Sequence, residues 1–411
     1  MNLLTFYLVI FTIEILFESF LEILNLVKAS SSSDTPDFFK NHISDAIFRK
    51  SVRYTVSKGK FSLFSMFINS AVLLLFIFTG LFGKIEYLLE NSGLNQWISG
   101  ILFIYITFFL FTVLLLPLKI YSEFVIEKKF GFSKMTVKLF LADMFKGTLI
   151  SLIITFPLLS ALFWFMDRAG SLWWLYAFLF TAVFEIALHI LYPVLIAPLF
   201  NKFEKLDDGP LYSRLKNLAG RLDFSIKGIF RMDGSRRSGH SNAYFTGFGR
   251  LRRIVLFDTL LNTLDEKEIE AVLAHEIGHY KKHHMIKGII LSLFMLLAGF
   301  YIINLLLGYV PVFTAFGFNS SSYYGIIVIL ILYSSPFTFF LTPLFNLLSR
   351  KHEYEADRFA VKAVENRESL KNALLKLGSE NLSNLVPHRL YSFYHYSHPA
   401  LYERLKAMDR I

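Results

Sequence analysis

Seven long apolar segments constrain the fold of this 411-residue chain more than any other feature. Each is close to or above the roughly 20 residues that an α-helix needs to cross the hydrocarbon core of a bilayer. In lipid, each segment must satisfy its own backbone hydrogen bonds, which favours helices. The segments lie at about residues 3–27, 61–82, 97–118, 147–166, 172–200, 289–310 and 324–348. The chain is therefore predicted to be mainly α, a multi-pass integral membrane protein with about seven transmembrane helices.

The composition agrees with a bilayer environment. Hydrophobic residues make up 54% of the chain and charged residues only 18%, whereas soluble domains have about 45–50% and 25%. The net charge of +10 would suggest nucleic acid in a soluble chain, but here the basic residues lie next to apolar segments. The expected partner is the lipid bilayer, and no nucleic-acid partner is expected.

Basic residues are distributed unevenly among the loops. They are concentrated in the first, third and fifth loops, whereas residues 83–96 and 311–323 contain almost none. Positively charged loops tend to stay in the cytoplasm, so these three loops and the C-terminus are predicted to be cytoplasmic, with the N-terminus outside. The membrane would be the inner membrane of a bacterium or the endoplasmic reticulum of a eukaryote.

The first apolar segment carries Glu14, Glu18 and Glu22 at intervals of four residues, which places them on one helix face. A row of carboxylates facing lipid would be energetically costly. The row is therefore expected to face the protein interior. Hydrogen bonds between helices or a water-filled chamber would both accommodate it.

The sequence HEIGH at residues 275–279 indicates a metal site. On a helix, His275 and His279 lie on one face and can share a metal ion, while Glu276 is turned about 100° away. A carboxylate in that direction is suited to accepting a proton from an attacking water molecule. Asp265 and Glu268 form a capping-box pattern that begins a helix just before the motif. This combination is typical of zinc-dependent hydrolysis of peptide bonds.

A third protein ligand is expected, because a catalytic zinc usually has three and keeps one open position. The chain contains no Cys, so this ligand must be His, Asp or Glu. The better candidates lie in SRKHEYEADRFAVKA, where Glu353 and Asp357 are four residues apart on a predicted helix. Glu353 would bind the metal, and Asp357 would accept a hydrogen bond from the far nitrogen of a ligand histidine.

Three nearby residues are interpreted as lying outside the metal site. If the helix of HEIGH continues, His283 and His284 lie about 6 Å beyond the second histidine of the motif. They are interpreted as surface or substrate-facing residues. Glu355 falls on a different helix face from the predicted ligand and is interpreted as a solvated carboxylate.

Residues 201–287 are polar enough to form a small cytoplasmic α+β insert. Residues 225–232 and 254–258 are predicted to be strands, and HSNAYF suits an edge strand. Peptides commonly bind such an edge through main-chain hydrogen bonds, so Asn242 would hold substrate; alternatively, it only turns a loop. The predicted domain order is transmembrane helices 1–5 with their cytoplasmic loops (1–200), the catalytic insert with HEIGH (201–287), transmembrane helices 6–7 (288–348) and a C-terminal helical segment carrying the third zinc ligand (349–411).

Several motifs together resemble the type I CaaX prenyl endopeptidases, integral-membrane zinc proteases that cut after a prenylated cysteine. HEIGH is followed by SRKHEYEAD and then by LYSFYHYSHPALYERL. The segments SEFVIEKKFGFSK, PLFNKFEKLDDGPL, SGHSNAYFTGF and RIVLFDTLL also match, so the similarity covers roughly residues 100–411. Bacterial heat-shock zinc proteases are more distantly similar. A bacterial member of the CaaX family is expected.

The resemblance implies a complete site. One zinc ion per chain would be bound by His275, His279 and Glu353. Glu276 would be the catalytic base, and Asn242 with its strand would hold the substrate backbone. His398 and Arg404 would face the cleft, with His398 donating a hydrogen bond to the oxyanion. The resemblance also favours a chamber beside the row of glutamates.

The predicted function is zinc-dependent membrane endopeptidase, acting on a peptide or protein and resembling the CaaX protease that removes the C-terminal tripeptide after a prenylated cysteine. A quality-control protease for membrane proteins is one alternative. A non-enzymatic metal transporter is another, because intramembrane His and Glu also mark ion pathways. A transporter has no need of Glu276 beside the metal. The sequence leaves open whether the substrate is prenylated.

Overall fold

A computed structural model describes residues 3–246 and 252–411, and most of these residues are helical. Seven of the described helices are long and apolar enough to cross a membrane, which confirms the predicted number. These candidate spans are Leu3–Ser30, Asp45–Phe78, Gln96–Phe130, Val137–Arg168, Gly170–Phe200, His284–Leu306 and Tyr323–Val364.

Shorter helices connect the spans, accompany the sheet and form the C-terminal segment. In chain order they are α1 (Leu3–Ser30), α2 (Asp45–Phe78), α3 (Leu81–Glu90), α4 (Gln96–Tyr121), α5 (Lys128–Phe130), α6 (Val137–Arg168), α7 (Trp173–Leu191), α8 (Ala197–Phe200), α9 (Pro210–Arg221), α10 (Asp258–Thr263), α11 (Glu266–Lys281), α12 (His284–Leu306), α13 (Val310–Ala315), α14 (Tyr323–Val364), α15 (Arg367–Glu380), α16 (Arg389–His395) and α17 (Leu401–Met408). The third span continues from α4 to α5 through a π-helical segment at Ser122–Glu127.

Helix α14 connects the membrane directly to the predicted metal site. It is 42 residues long, and the apolar segment predicted at 324–348 forms only its first part. Both internal prolines, Pro336 and Pro343, lie in that apolar part. The polar residues that follow continue the same helix, so Glu353 and Asp357 are carried on an extension of the last span.

A four-stranded sheet lies between the fifth and sixth spans. Its strands are β1 (Phe203–Lys205), β2 (Gly228–Met232), β3 (Ala243–Thr246) and β4 (Arg253–Phe257), and they are arranged in the order β1-β2-β4-β3. The β1/β2 and β3/β4 pairs are antiparallel, whereas β2 and β4 are parallel. Strand β3 therefore lies at an edge of the sheet.

The strand predicted at 225–232 is confirmed with the shorter bounds of β2, and the one predicted at 254–258 is confirmed one residue earlier as β4. HSNAYF does enter an edge strand. Strand β1 was missed because three residues carry too little periodicity to be recognised. The last residues of the SGHSNAYFTGF motif, Gly247 and Phe248, lie outside the described residues.

The sheet and the C-terminal helices share one hydrophobic core. Leu256 of β4 and Leu273 of α11 are buried together with Ala360 of α14 and Met408 of α17. This packing fixes the helix that carries HEIGH against the extension of the last span. A separate core of aromatic and aliphatic side chains joins the membrane helices.

The row of glutamates on α1 faces other parts of the protein, as expected. Glu14 accepts a hydrogen bond from Ser335 at 3.2 Å, and Glu18 lies 3.2 Å from Nε2 of His395. Glu22 is only 4% exposed. These contacts join α1 to α14 and α16, so the carboxylates have polar neighbours within the membrane region.

Candidate metal centre

Helix α11 begins as the sequence predicts. The side chain of Asp265 accepts hydrogen bonds from the backbone N–H groups of Lys267 and Glu268, and the Glu268 carboxylate accepts one from the N–H of Asp265. Such a capping box satisfies N–H groups that have no partner within the helix. The helix that carries HEIGH is therefore fixed at its first turn, ahead of the functional residues.

A glycine allows α11 to pack closely on α14. A Cβ added at Gly278 would lie 3.1 Å from Cα of Ala356 and 3.2 Å from its carbonyl oxygen, closer than ordinary contacts. A larger residue at Gly278 would push the two helices apart. The close approach brings Glu353 against the two histidines of the motif.

Three side chains converge at this helix crossing. Nε2 of His275 lies 3.1 Å from Nε2 of His279. The Glu353 carboxylate oxygens lie 3.5 Å from the first of these nitrogens and 3.2 Å from the second. His275 and Glu353 are buried, whereas His279 is partly exposed. The three residues could hold one metal ion, with one side open.

The polar atoms of this cluster fit a metal ion better than they fit one another. Oε2 of Glu353 is buried and makes no hydrogen bond among the described residues; Nη1 of Arg404 and Nε2 of His275 lie near it, at 3.4 and 3.5 Å. A buried polar atom that lacks a hydrogen bond usually has a reason, such as a bound ion. Two imidazole nitrogens and a carboxylate oxygen are also a common donor set for a divalent metal in hydrolytic enzymes.

Asp357 lies behind His275, where the sequence placed it. Its Oδ1 is 2.8 Å from Nδ1 of His275, on the opposite side of the ring from Nε2. Burial lowers the affinity of His275 for a proton, but the carboxylates of Asp357 and Glu353 outweigh this effect and raise the pKa of His275 to about 9.

Glu276 lies next to the cluster but outside it. Its side chain is half-buried. Burial raises the pKa of Glu276 above the ordinary glutamate value, against the opposing effect of His275 and His279. A higher pKa makes its ionised carboxylate a stronger base.

Arg404 is buried behind the cluster. Its Nε and Nη2 donate hydrogen bonds to the two carboxylate oxygens of Asp357 at 2.9 and 2.6 Å. Its Nη1 lies 3.4 Å from Oε2 of Glu353. The role in substrate binding implied by the resemblance stays a prediction, while these contacts favour a role in holding the two carboxylates.

His398 lies at the open side of the cluster. Its Nε2 is 3.3 Å from Oε1 of Glu353, and its side chain is 64% exposed. A cleft of about 600 Å³ runs from His398 and Arg404 past Tyr396 to Asn242. His398 is therefore the cluster neighbour most accessible to a molecule in the cleft.

Asn242 lies immediately before edge strand β3 and is exposed. Its Oδ1 accepts a hydrogen bond from the N–H of Ala243 at 2.8 Å, and its carbonyl oxygen accepts one from Phe257 of β4. Asn242 therefore lies at the start of an edge strand, and no turn is assigned at this residue. Its contact with substrate stays a prediction.

His284 and Glu355 lie outside the cluster of His275, His279 and Glu353, but the interpretation of His284 as a surface residue and of Glu355 as a merely solvated carboxylate was wrong. His284 is 7% exposed, and its Nδ1 lies 3.0 Å from Nδ1 of His279. Glu355 contacts His284 rather than only solvent. The prediction assumed that α11 continues, but it ends at Lys281, and His283 has a left-handed φ of 57° that redirects the chain. The dipeptide His283-His284 was the only signal in the sequence.

Seven candidate spans and a His–Glu cluster on the helix of HEIGH define the class of membrane metallopeptidases. Residues 25–202 match the family model described as CAAX prenyl protease N-terminal, five membrane helices, and residues 205–411 match Peptidase family M48. The chain therefore belongs to peptidase family M48, with the CAAX prenyl proteases. This membership indicates a metalloprotease and argues against the alternative of a non-enzymatic metal transporter.

Relatives of full length support this membership. The chain is 38% identical to CAAX prenyl protease 1 of Saccharomyces cerevisiae over 96% of this chain and 92% of that protein. It is 36% identical to the Arabidopsis thaliana homologue, over 96% and 94% of the two chains. The crystal structure of S. mikatae Ste24p matches with a TM-score of 0.93 and 36% identity, over 100% and 99%. These relatives are eukaryotic and give the expected bacterial source no support.

Uptake of zinc by metal-stripped protein at pH 7 is expected to release about one proton from His275. With a pKa of about 9, this residue is protonated at pH 7 before the metal binds, whereas a ligand imidazole must be neutral. Metal affinity should therefore rise with pH up to about 9. Calorimetric titrations in buffers with different ionisation enthalpies measure the released protons. A binding heat independent of buffer would contradict this prediction.

Proposed function

We propose that this protein is a zinc endopeptidase that hydrolyses the peptide bond after a prenylated cysteine near the C-terminus of a protein substrate. The observation that carries the proposal is the convergence of His275, His279 and Glu353 beside Glu276. The names of the relatives, CAAX prenyl protease 1, support the substrate class. A multi-pass membrane enzyme is suited to a substrate whose lipid chain enters the bilayer.

Zinc is the metal that the cluster favours. One ring nitrogen from each of the two histidines and one oxygen of Glu353 lie within 4.8 Å of one another, and the two Nε2 atoms are 3.1 Å apart. Nitrogen and oxygen donors at this spacing can share one ion of the kind that His and Glu bind in hydrolytic enzymes. Two His and one Glu also leave the fourth position open, as catalytic zinc sites require.

The reaction is divided between the metal and two protein side chains. Zinc, when bound, supplies Lewis-acid activation of water and of the scissile carbonyl. Glu276 accepts the proton of the attacking water and then delivers it to the leaving amine. His398 donates a hydrogen bond to the oxygen of the tetrahedral intermediate, because its ring lies at the open side of the cluster.

Strand β3 is proposed to hold the substrate backbone. Its outer edge is free within the described part of the sheet, since β3 pairs only with β4 there. The cleft of about 600 Å³ connects Asn242 with His398. A peptide added to this edge would therefore pass the metal cluster, and Arg404 would act from behind Asp357 and Glu353.

The metal site is proposed to face the cytoplasm. The basic loops predict this orientation. The HEIGH helix precedes the sixth span and Glu353 follows the seventh, so an even number of crossings separates them. Both parts of the site therefore lie on one side, as their contact requires. In a eukaryote the membrane would be the endoplasmic reticulum.

Peptides of one sequence, with and without a prenyl group on the cysteine, test the substrate class. The purified zinc-loaded protein should cleave the prenylated peptide after the cysteine and release a tripeptide, which mass spectrometry identifies. The plain peptide should be cleaved far more slowly. Equal cleavage of both peptides at many positions would instead favour the quality-control protease.

Replacement of Asn242 by Ala is expected to lower kcat/KM without loss of zinc, because it disturbs positioning rather than metal binding. Steady-state cleavage rates and the zinc content of the same preparation measure the two effects. Asn217→Ala is a matched control, because Asn217 is exposed on α9 and does not line this cleft. Unchanged kinetics in Asn242→Ala would show that Asn242 only turns a loop.

A further inference from the structure

An imidazole and a carboxylate lie behind His279, outside the proposed ligand set. Nδ1 of His284 is 3.0 Å from Nδ1 of His279, and Nε2 of His284 is 3.1 Å from Oε2 of Glu355. The side chain of His284 is only 5% exposed. The ring of His352 stacks on it at a centroid distance of 3.9 Å. The ring of His284 is therefore confined on several sides.

The turn between α11 and α12 brings His284 to this place. His283 caps α12 in the left-handed region, at a φ of 57° and a ψ of 29°. A residue with a side chain adopts this conformation at a cost, and such strain is concentrated at functional sites. Had the first helix continued, His284 would lie beyond reach of His279.

The contacts allow one assignment of protons when Nε2 of His279 binds a metal. The ligand nitrogen is then unprotonated, so Nδ1 of His279 carries the hydrogen. That N–H donates to Nδ1 of His284, which must accept. Nε2 of His284 therefore carries a hydrogen and donates it to the Glu355 carboxylate. Every polar atom in this chain of contacts has a complementary partner.

We propose that His284 and Glu355 are positioning residues that fix the orientation and tautomer of the ligand His279. The inference rests on the proposed metal site. Asp357 has the corresponding place behind His275, at 2.8 Å. Each histidine ligand is thus supported by a carboxylate, directly in one case and through a second imidazole in the other.

Zinc affinity of the purified full-length protein tests the proposal, measured by competition with a chromogenic chelator. Glu355→Ala is expected to weaken zinc binding about 10–100-fold, as loss of such partners does elsewhere. The substitution is tolerable for folding because the Glu355 side chain is 30% exposed. The thermal melting of metal-free protein should stay unchanged. Exposed Glu380, on α15, supplies a matched control, Glu380→Ala.

Substitutions of the neighbouring histidines separate orientation from general packing. His284→Phe keeps a ring but lacks an acceptor, so it should weaken zinc binding by a similar factor. His284→Gln should restore part of the affinity, because its amide oxygen can accept from His279. The control is His283→Asn, since His283 is exposed and Asn tolerates the left-handed backbone.

Coupling between the two residues is the decisive result. If Glu355 acts through His284, Glu355→Ala should cost little further zinc affinity in the His284→Phe background. Independent, additive losses of zinc affinity in the two substitutions would contradict the proposal that Glu355 acts through His284. Wild-type zinc affinity in Glu355→Ala would also contradict it. If His284→Phe does not fold, the effect of Glu355→Ala is measured in the His284→Gln protein instead. Failure of the wild-type protein to bind zinc would instead contradict the proposed function.

Discussion

Replacement of Glu276 by Gln is expected to lower turnover by a factor on the order of 100 or more while zinc stays bound. Gln keeps the shape of Glu but cannot accept the proton of the attacking water. The half-buried position of Glu276 raises its pKa and makes the carboxylate a stronger base. Single-turnover cleavage rates measure the effect, and metal analysis of the same preparation shows that the ligands are intact.

Glu380→Gln is the control for a general effect of removing a carboxylate, because Glu380 is exposed on α15. It should cleave at the wild-type rate. Turnover close to wild type in Glu276→Gln would remove Glu276 from the role of base. Loss of zinc together with turnover would mean that Glu276 helps to bind the metal.

Replacement of Glu353 by Ala is expected to abolish both zinc retention and activity. The Glu353 side chain is 4% exposed and lies within 3.5 Å of the ligand nitrogen of His275 and within 3.2 Å of that of His279. Its removal leaves two protein donors, too few to hold a catalytic zinc tightly. It also leaves Arg404 in contact with the carboxylate of Asp357 alone, instead of those of both Asp357 and Glu353. Zinc content after gel filtration and the cleavage rate with added zinc measure the loss.

Glu355→Ala is the informative comparison, because Glu355 is on the same helix. It should reduce zinc affinity but retain activity when zinc is supplied in excess. Full zinc content and rate in Glu353→Ala, together with loss of both in Glu355→Ala, would show that the third ligand was assigned to the wrong glutamate.

The parts of the fold that depend on periodic sequence could be predicted. The seven apolar segments predicted the seven candidate spans. The four-residue spacing of His275 and His279 predicted that both lie on one helix face. The pairing of Asp265 with Glu268 gave the start of α11. Each of these signals is local, because it depends only on residues within one turn or one span.

The support of the site could not be predicted in the same way. Arg404 reaches Asp357 across 47 positions of sequence, and no local pattern encodes that contact. The position of His284 depends on one backbone conformation, the left-handed φ of His283. Few residues other than glycine adopt such a conformation, so a local sequence pattern does not predict it at His283. The family resemblance predicted that Arg404 and His398 face the cleft, but it did not predict the contacts that they make.

The dependence of cleavage on zinc bound at this cluster tests the central claim most directly. Metal-stripped protein is titrated with zinc, and bound metal and the cleavage rate are measured in the same samples. The rate should rise in proportion to bound zinc and reach its limit at about one zinc ion per chain. In His279→Ala the same titration should restore neither zinc binding nor cleavage. Full activity in protein that contains far less than one zinc ion per chain would contradict a zinc peptidase.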